Sequence, residues 1–247
     1  MTENMESENE VTRAFLELTD RQNHTYPSQI SASLRSPYLL TGGTFDDYWN
    51  SLPRKRIKFL ERMCYRRLEK AESYSFGKIE TIEQWEAFLP SMFATSEKSW
   101  KSMEGTQLRS GGSDARLYLS FTPLALERDW VSIHTLSIDG KVIGFEYLLK
   151  YGNRYALTRC DFDMEYKYYS PGNNIRLHIL EYLYDQPDTC EYDLCGDDYD
   201  YKLEWADRIR PHISVTVGNR TLRGQAVLWA KNSLLPAIRR ITGRSDS

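Results

Sequence analysis

Between residues 161 and 202 three short stretches carry side chains suited to chemistry. The first is Ser170-Pro171-Gly172-Asn173-Asn174, which leads into Ile175, Leu177, Ile179, Leu180 and Leu183, an apolar pattern that predicts a helix ending before Pro187. A glycine at a helix start lets a ligand approach the backbone closely, and the N–H groups and dipole there favour an anion such as a phosphate. Ser170, Gly172, Asn173 and Asn174 would hold that anion and Arg176 would add a cation. The same residues also suit a plain helix start, with Ser170 and Pro171 opening it and Asn173 capping it. The second stretch, Asp197, Asp198, Tyr199, Asp200, Tyr201 and Lys202, sets carboxylates, phenols and an ammonium side by side; a solvated acidic loop is the alternative reading. The third, Asp161 and Asp163 at the end of a predicted strand, offers carboxylates to the same cleft or to a turn.

Charge narrows what such a site would take. The 247-residue chain has a net charge of -3, yet residues 161–207 hold thirteen Asp or Glu against only Lys167, Arg176 and Lys202, a local balance of -10. That block attracts a cationic amine and repels a nucleic-acid backbone. Eleven of the seventeen tyrosines fall between Tyr147 and Tyr201, enough to line a cleft or to pair across strands. Cys64, Cys160, Cys190 and Cys195 form no CxxC pair, and His24, His134, His178 and His212 have no zinc-ligand spacing, so reduced thiols and no metal are expected. The acidic start lacks the basic region of a secretory signal and no apolar run reaches spanning length, so no membrane span and a cytoplasmic location are expected.

The elements that must position these residues follow from periodicity. Residues 1–35 read as a polar, mobile lead-in with an apolar patch at 14–18 able to make a frayed helix. Tyr38-Leu39-Leu40 predicts a short strand, Thr44 caps a helix, and residues 54–70 predict a second helix with eight Lys or Arg, read as a solvated basic face or, alternatively, a phosphate-binding one. A strand at 74–79, a helix from Ile82 capped by Thr81, and a helix over 113–127 broken or kinked at Pro123 come next. Residues 131–138, 141–151 and 154–160 predict antiparallel strands joined at Asp139-Gly140 and Gly152-Asn153. After the helix at 175 come a strand over 190–195, a loop over 196–201, a helical turn over 202–209, a strand over 213–217 and a basic helix over 222–241 interrupted by Pro236.

This order from residue 82 resembles the GNAT acyltransferase superfamily, whose strand-loop-helix with a glycine at the helix start seats the coenzyme A pyrophosphate. More narrowly, Cys160-Asp161-Phe162-Asp163-Met164-Glu165-Tyr166 before Ser170-Pro171-Gly172, and Tyr192-Asp193-Leu194-Cys195-Gly196 before Tyr201-Lys202-Leu203-Glu204-Trp205, resemble a GNAT-like branch. That branch includes cellulose-biosynthesis-associated acetyltransferases and is related to the Fem-type peptidyltransferases. The resemblance spans residues 36–218 and implies an α/β fold, a mixed, centrally antiparallel twisted sheet flanked by helices. It implies a GNAT-like domain over 82–247, with 36–81 the remnant of a first lobe or linker helices in a chain shortened at its N-terminus.

The implied activity is an acyl-CoA-dependent N-acyltransferase using acetyl-CoA or another acyl-CoA, with a small or sugar-linked amine as acceptor, no DNA and no metal. Asp198 would deprotonate the amine, Tyr201 would protonate the leaving thiolate and Lys202 would stabilise an oxyanion. Asp161, Asp163, Asp197 and Tyr199 would bind the acceptor, and Ser170, Gly172, Asn173, Asn174 and Arg176 the coenzyme. A Fem-like aminoacyl-tRNA-dependent transferase and a non-catalytic acyltransferase-like binding module are the alternatives.

Overall fold

A computed structural model describes residues 2–7, 9–20, 28–217 and 221–230. The chain divides into two compact units, Tyr38–Cys195 and a second made of Met1–Pro37 with Gly196–Ser247.

The larger unit is α/β, with a mixed, mainly antiparallel sheet. Its strands are the end of β2 (Ser28–Leu40), β3 (Tyr74–Ile79), β4 (Val131–Ile138), β5 (Lys141–Tyr151), β6 (Arg154–Phe162) and β7 (Glu191–Asp193), arranged β2-β7-β6-β5-β4-β3. The two hairpins β4–β5 and β5–β6 form as the turn residues dictate, Asp139 (φ 49°) and Gly140 (φ 76°) supplying the left-handed pair that a two-residue turn needs. Alternation along β5 divides the core. Phe145 and Tyr147 face the helices α5 (Ile82–Glu97) and α6 (Ser113–Glu127), packing with Trp85, Phe88 and Met92, while Gly144 and Glu146 face α7 (Pro171–Tyr184).

Several boundaries differ from the sequence expectation. Helix α6 runs through Pro123: buried Ala115 and Ala125 hold it, and the Thr122 hydroxyl shares a 2.9 Å hydrogen bond with that of Tyr147, so packing outweighs the one backbone bond a proline removes. α7 starts at Pro171 rather than Ile175, and β7 is three residues long. The basic segment is helical as expected: α3 (Arg54–Leu60), a π-helical turn Glu61–Tyr65 and α4 (Arg66–Leu68) follow α2 (Phe45–Ser51), whose Thr44–Asp47 capping box is complete.

In the smaller unit, residues read as a lead-in form β1 (Thr2–Glu6), α1 (Glu10–Asp20) and most of β2; β1 pairs antiparallel with β8 (Arg208–Val217), which β2 flanks on its other side. The helical turn expected at 202–209 is instead α8 (Asp200–Leu203), since β8 already begins at Arg208. The C-terminal helix is described as α9 (Leu222–Trp229); residues 231–247, with Pro236, lie outside the described residues.

Candidate active site

In the larger unit, β6, α7 and β7 form the one parallel pair of that sheet, α7 being the crossover that parallel strands require. The pairing is brief: Arg154, Tyr155 and Ala156 face Glu191, Tyr192 and Asp193, after which β6 continues to Phe162 and β7 stops. Two features open the sheet there. Thr158 is an extra residue between the β5 partners Tyr147 and Leu148, a bulge that bends β6 beyond its last pair, and Cys195 and Gly196 follow β7 with φ of 50° and 62°. The edge of β6 past Ala156 therefore has no strand partner on that side among the described residues.

The start of α7 lies against the end of this open edge. A Cβ on Gly172 would meet only the Phe162 ring, at 3.8 Å, and Gly144 lets Ile175 come so near the sheet that a Cβ there would stand 2.9 Å from its Cδ1. Ser170 takes the left-handed conformation (φ 49°) at the N-cap position and Pro171 begins the helix, as the plain helix-start alternative has it, but Asn173 lies inside α7 and is not its cap. Asn174 is buried, its amide donating to the Tyr169 carbonyl at 2.7 Å and its backbone N–H to Ser170, so it shapes the turn and does not face a ligand. Pro171 has no N–H, and no protein carbonyl among the described residues takes the N–H of Gly172 or Asn173.

Arg176 departs from the expected anion contact. It is buried beneath α7, where its guanidinium reaches the Glu146 carboxylate at 2.8 Å, and the other Glu146 oxygen accepts from the Tyr192 hydroxyl at 2.5 Å. Burial works against the Arg176 cation but Glu146 overcomes it, so its pKa is raised; burial, then the Glu146 charge, pushes the Tyr192 phenol well above its usual range. Beside this trio on the α7 face, burial raises the Cys160 thiol and His134 is held neutral. The network was missed from sequence, although Glu146 inside the apolar run of β5 and Arg176 inside the apolar start of α7 are its signal.

Asp161 and Asp163 are corrected too. Asp161 points to the α5 face, away from α7, buried between Arg159 (2.8 Å) and Lys101 (2.8 Å). Asp163 caps the 3-10 turn Met164–Tyr169 and binds Lys141 at 2.9 Å. Both carboxylates are occupied in building the unit, the turn role being the one Asp163 fills.

The remaining predicted residues belong to the smaller unit. Asp197 accepts from the Arg35 backbone N–H and Asp198 pairs with the Arg35 guanidinium at 3.2 Å. The rings of Tyr199 and Tyr201 lie parallel, centroids 6.1 Å apart, and the ammonium of buried Lys202 stands 5.3 and 5.9 Å from them. Gly196 makes room for it: a Cβ there would be 2.9 Å from the Lys202 Nζ. The Lys202 ammonium and the two phenols thus stand together, while the carboxylates of Asp197 and Asp198 engage Arg35. All four cysteines are free, and among the described residues no His, Cys, Asp or Glu group could hold a metal and no helix is long and apolar enough to cross a membrane.

Comparison with known proteins agrees with this architecture. The sequence profile of a family described as an acetyltransferase (GNAT) domain matches residues 55–203. No curated protein sequence matches the chain. Among solved structures, L-PGS from Bacillus licheniformis is similar with a TM-score of 0.59 and 13% identity, over 93% of this chain and 71% of that one. A conserved protein of unknown function from Bacteroides thetaiotaomicron gives 0.57 and 13%, over 84% and 67%. FemX gives 0.55 and 10%, over 75% and 62%, so this chain spans about two-thirds of the length of the structures it resembles.

Proposed function

The chain belongs to the GNAT acetyltransferase-domain family, and from that premise we propose that it is an acyl-CoA-dependent N-acyltransferase that moves an acetyl group directly to an amine. The observation that carries this reading is the start of α7, where, among the described residues, no carbonyl takes the N–H groups of Gly172 and Asn173 at the positive end of a fourteen-residue helix and no strand pairs with the neighbouring edge of β6. A diphosphate fits those two donors, and an amide-bearing arm fits the backbone groups along the β6 edge. Bound there, the coenzyme supplies an activated thioester.

In direct transfer the amine attacks the thioester carbonyl carbon, a C–N bond forms and the C–S bond breaks; the ammonium must lose one proton before it attacks, the leaving thiolate must gain one, and the nitrogen's second proton, shed as the intermediate collapses, restores the group that protonated the thiolate. We assign the first proton to Asp198, with Asp197 and Tyr199 as acceptor-binding groups, the second to Tyr201, and the oxyanion to Lys202. Their support is the chain order after β7, with the carboxylates of Asp197 and Asp198 next in sequence to Tyr199, Tyr201 and Lys202, and the nearness of the Lys202 ammonium to the two phenol rings. The acceptor is a small or sugar-linked amine. Within this proposal the branch near the cellulose-biosynthesis-associated acetyltransferases is the subgroup.

A second reading, a Fem-like transferase drawing on aminoacyl-tRNA, is favoured by the fold likeness to FemX and L-PGS and by the exposed cations of α3 and α4. Mass spectrometry of an amine panel incubated separately with acetyl-CoA and with charged tRNA separates the two. A mass gain of one acetyl group in the first arm supports the acyl-CoA reading, and an aminoacyl gain confined to the second overturns it. Retention of coenzyme A with no product in either arm points to a binding module.

A further inference from the structure

The helical run from α3 to α4 carries two columns of period four. Arg54, Lys58, Arg62, Arg66 and Lys70 recur at every fourth residue, and Leu60, Cys64 and Leu68 recur at the same interval two residues out of step. At about 3.6 residues per turn an α-helix rotates such a series about 40° per step, which smears each column around the cylinder. The π-helical turn Glu61–Tyr65 counters the drift, because i→i+5 bonding, completed by the Arg66 N–H on the Glu61 carbonyl, winds the chain at more than four residues per turn. Leu60, Cys64 and Leu68 are accordingly all buried, and the five cations are all exposed. A basic last turn alone would offset the helix dipole, but that accounts only for the cations nearest the end, not for a column along the whole run.

The column ends beside the turn that precedes α7. The Arg67 guanidinium donates to the Tyr168 carbonyl at 2.8 Å and lies 4.6 Å over the Tyr168 ring, and the Lys70 ammonium reaches the Tyr168 hydroxyl at 3.2 Å. Tyr168 stands three residues before Pro171. Arg67 is thereby fixed, while Lys70 keeps two further N–H donors and Arg66 stands one step back on the same column.

Resting on the acyl-CoA reading above, we propose that Arg66 and Lys70 bind the 3′-phosphate of coenzyme A, so that the protein selects the full coenzyme over its dephospho form. That phosphate is a monoester carrying about -1.5 to -2 charge and three acceptor oxygens, which suits the exposed Arg and Lys pair at the end of a column that Arg67 and Lys70 tie to Tyr168, three residues before α7 begins.

Calorimetric titration of the full chain at low salt with coenzyme A and with dephospho-coenzyme A tests this. The wild type is expected to bind coenzyme A about tenfold more tightly. In Arg66→Ala/Lys70→Ala that ratio falls to about one while the dephospho form binds as before. Raising salt to roughly 0.5 M erodes the wild-type ratio in the same direction, a readout that needs no variant. Equal affinities in the wild type, or an unchanged ratio in the variant, overturn the assignment and leave the acyl-CoA reading standing; wild type that binds neither ligand overturns both.

Discussion

Glu146 is fully buried on β5, and its two oxygens join α7 through Arg176 and β7 through Tyr192. Such a pair offers little net stability over an apolar equivalent, but removing one partner leaves a buried charge uncompensated. Glu146→Ala is expected to cost about 3–5 kcal/mol in urea unfolding, and Tyr192→Phe, which strands one carboxylate oxygen, about 1–3 kcal/mol. His134 gives a pH signature at the same scale. Burial, with His178 and Lys78 nearby, lowers its pKa from 6.5 to about 3, so the folded protein keeps it neutral while the unfolded chain takes up a proton as pH falls through 6.5. Its stabilising effect is complete above that pH and shrinks toward pH 3, by about 2 kcal/mol at pH 5. His134→Gln should flatten the unfolding midpoint between pH 7 and 5; a profile as steep as the wild type would remove the assignment.

Among elements, α7 decides the geometry, and Gly144 sets how closely it lies on the sheet. Gly144→Ala brings a methyl to 2.9 Å from the Ile175 Cδ1 and 3.2 Å from the Phe162 Cβ, so the buried Ile175 side chain must repack and the first turns of α7 are pressed from β5. The expected result is a loss of about 1–3 kcal/mol of stability together with weaker acetyl-CoA binding, read by unfolding and titration of the same sample. Much at this scale was legible. The hairpin strands β4 to β6 show period-two patterns between turn residues, and Thr44 and Thr81 announce their helices as caps. What was not legible has a tertiary cause: Pro123 is carried by the packing of α6, β7 is curtailed by the turn at Cys195, and polar residues 28–37 extend as a strand because β8 pairs beside them. Ser170 and Pro171 open α7 as one of the two sequence readings has it, and a charged Arg176 inside an apolar helix start signals burial, but no local pattern names Glu146, thirty residues earlier, as its partner.

Across the whole chain, the balance of -10 over residues 161–207 is softer in the fold than in the sequence. Asp161, Asp163 and Asp193 are buried against Arg159 and Lys101, Lys141, and Arg154, cations that all precede the block. Asp200, Glu204 and Asp207 stay exposed, and under the proposed function they would attract a cationic acceptor. At saturating acetyl-CoA, kcat/KM for a cationic amine should fall several-fold between about 0.05 and 0.5 M salt, and that for a neutral acceptor should not. Equal salt dependence would detach the acidic block from acceptor recognition. The central claim is that the start of α7 holds the coenzyme, and titration of acetyl-CoA into wild type and Gly172→Asp tests it most directly. The new side chain has room, its Cβ meeting the Phe162 ring at 3.8 Å, so the fold is retained and the melting temperature holds. With a carboxylate at the anion seat, affinity is predicted to drop at least about tenfold; an unchanged affinity in the folded variant would contradict the account.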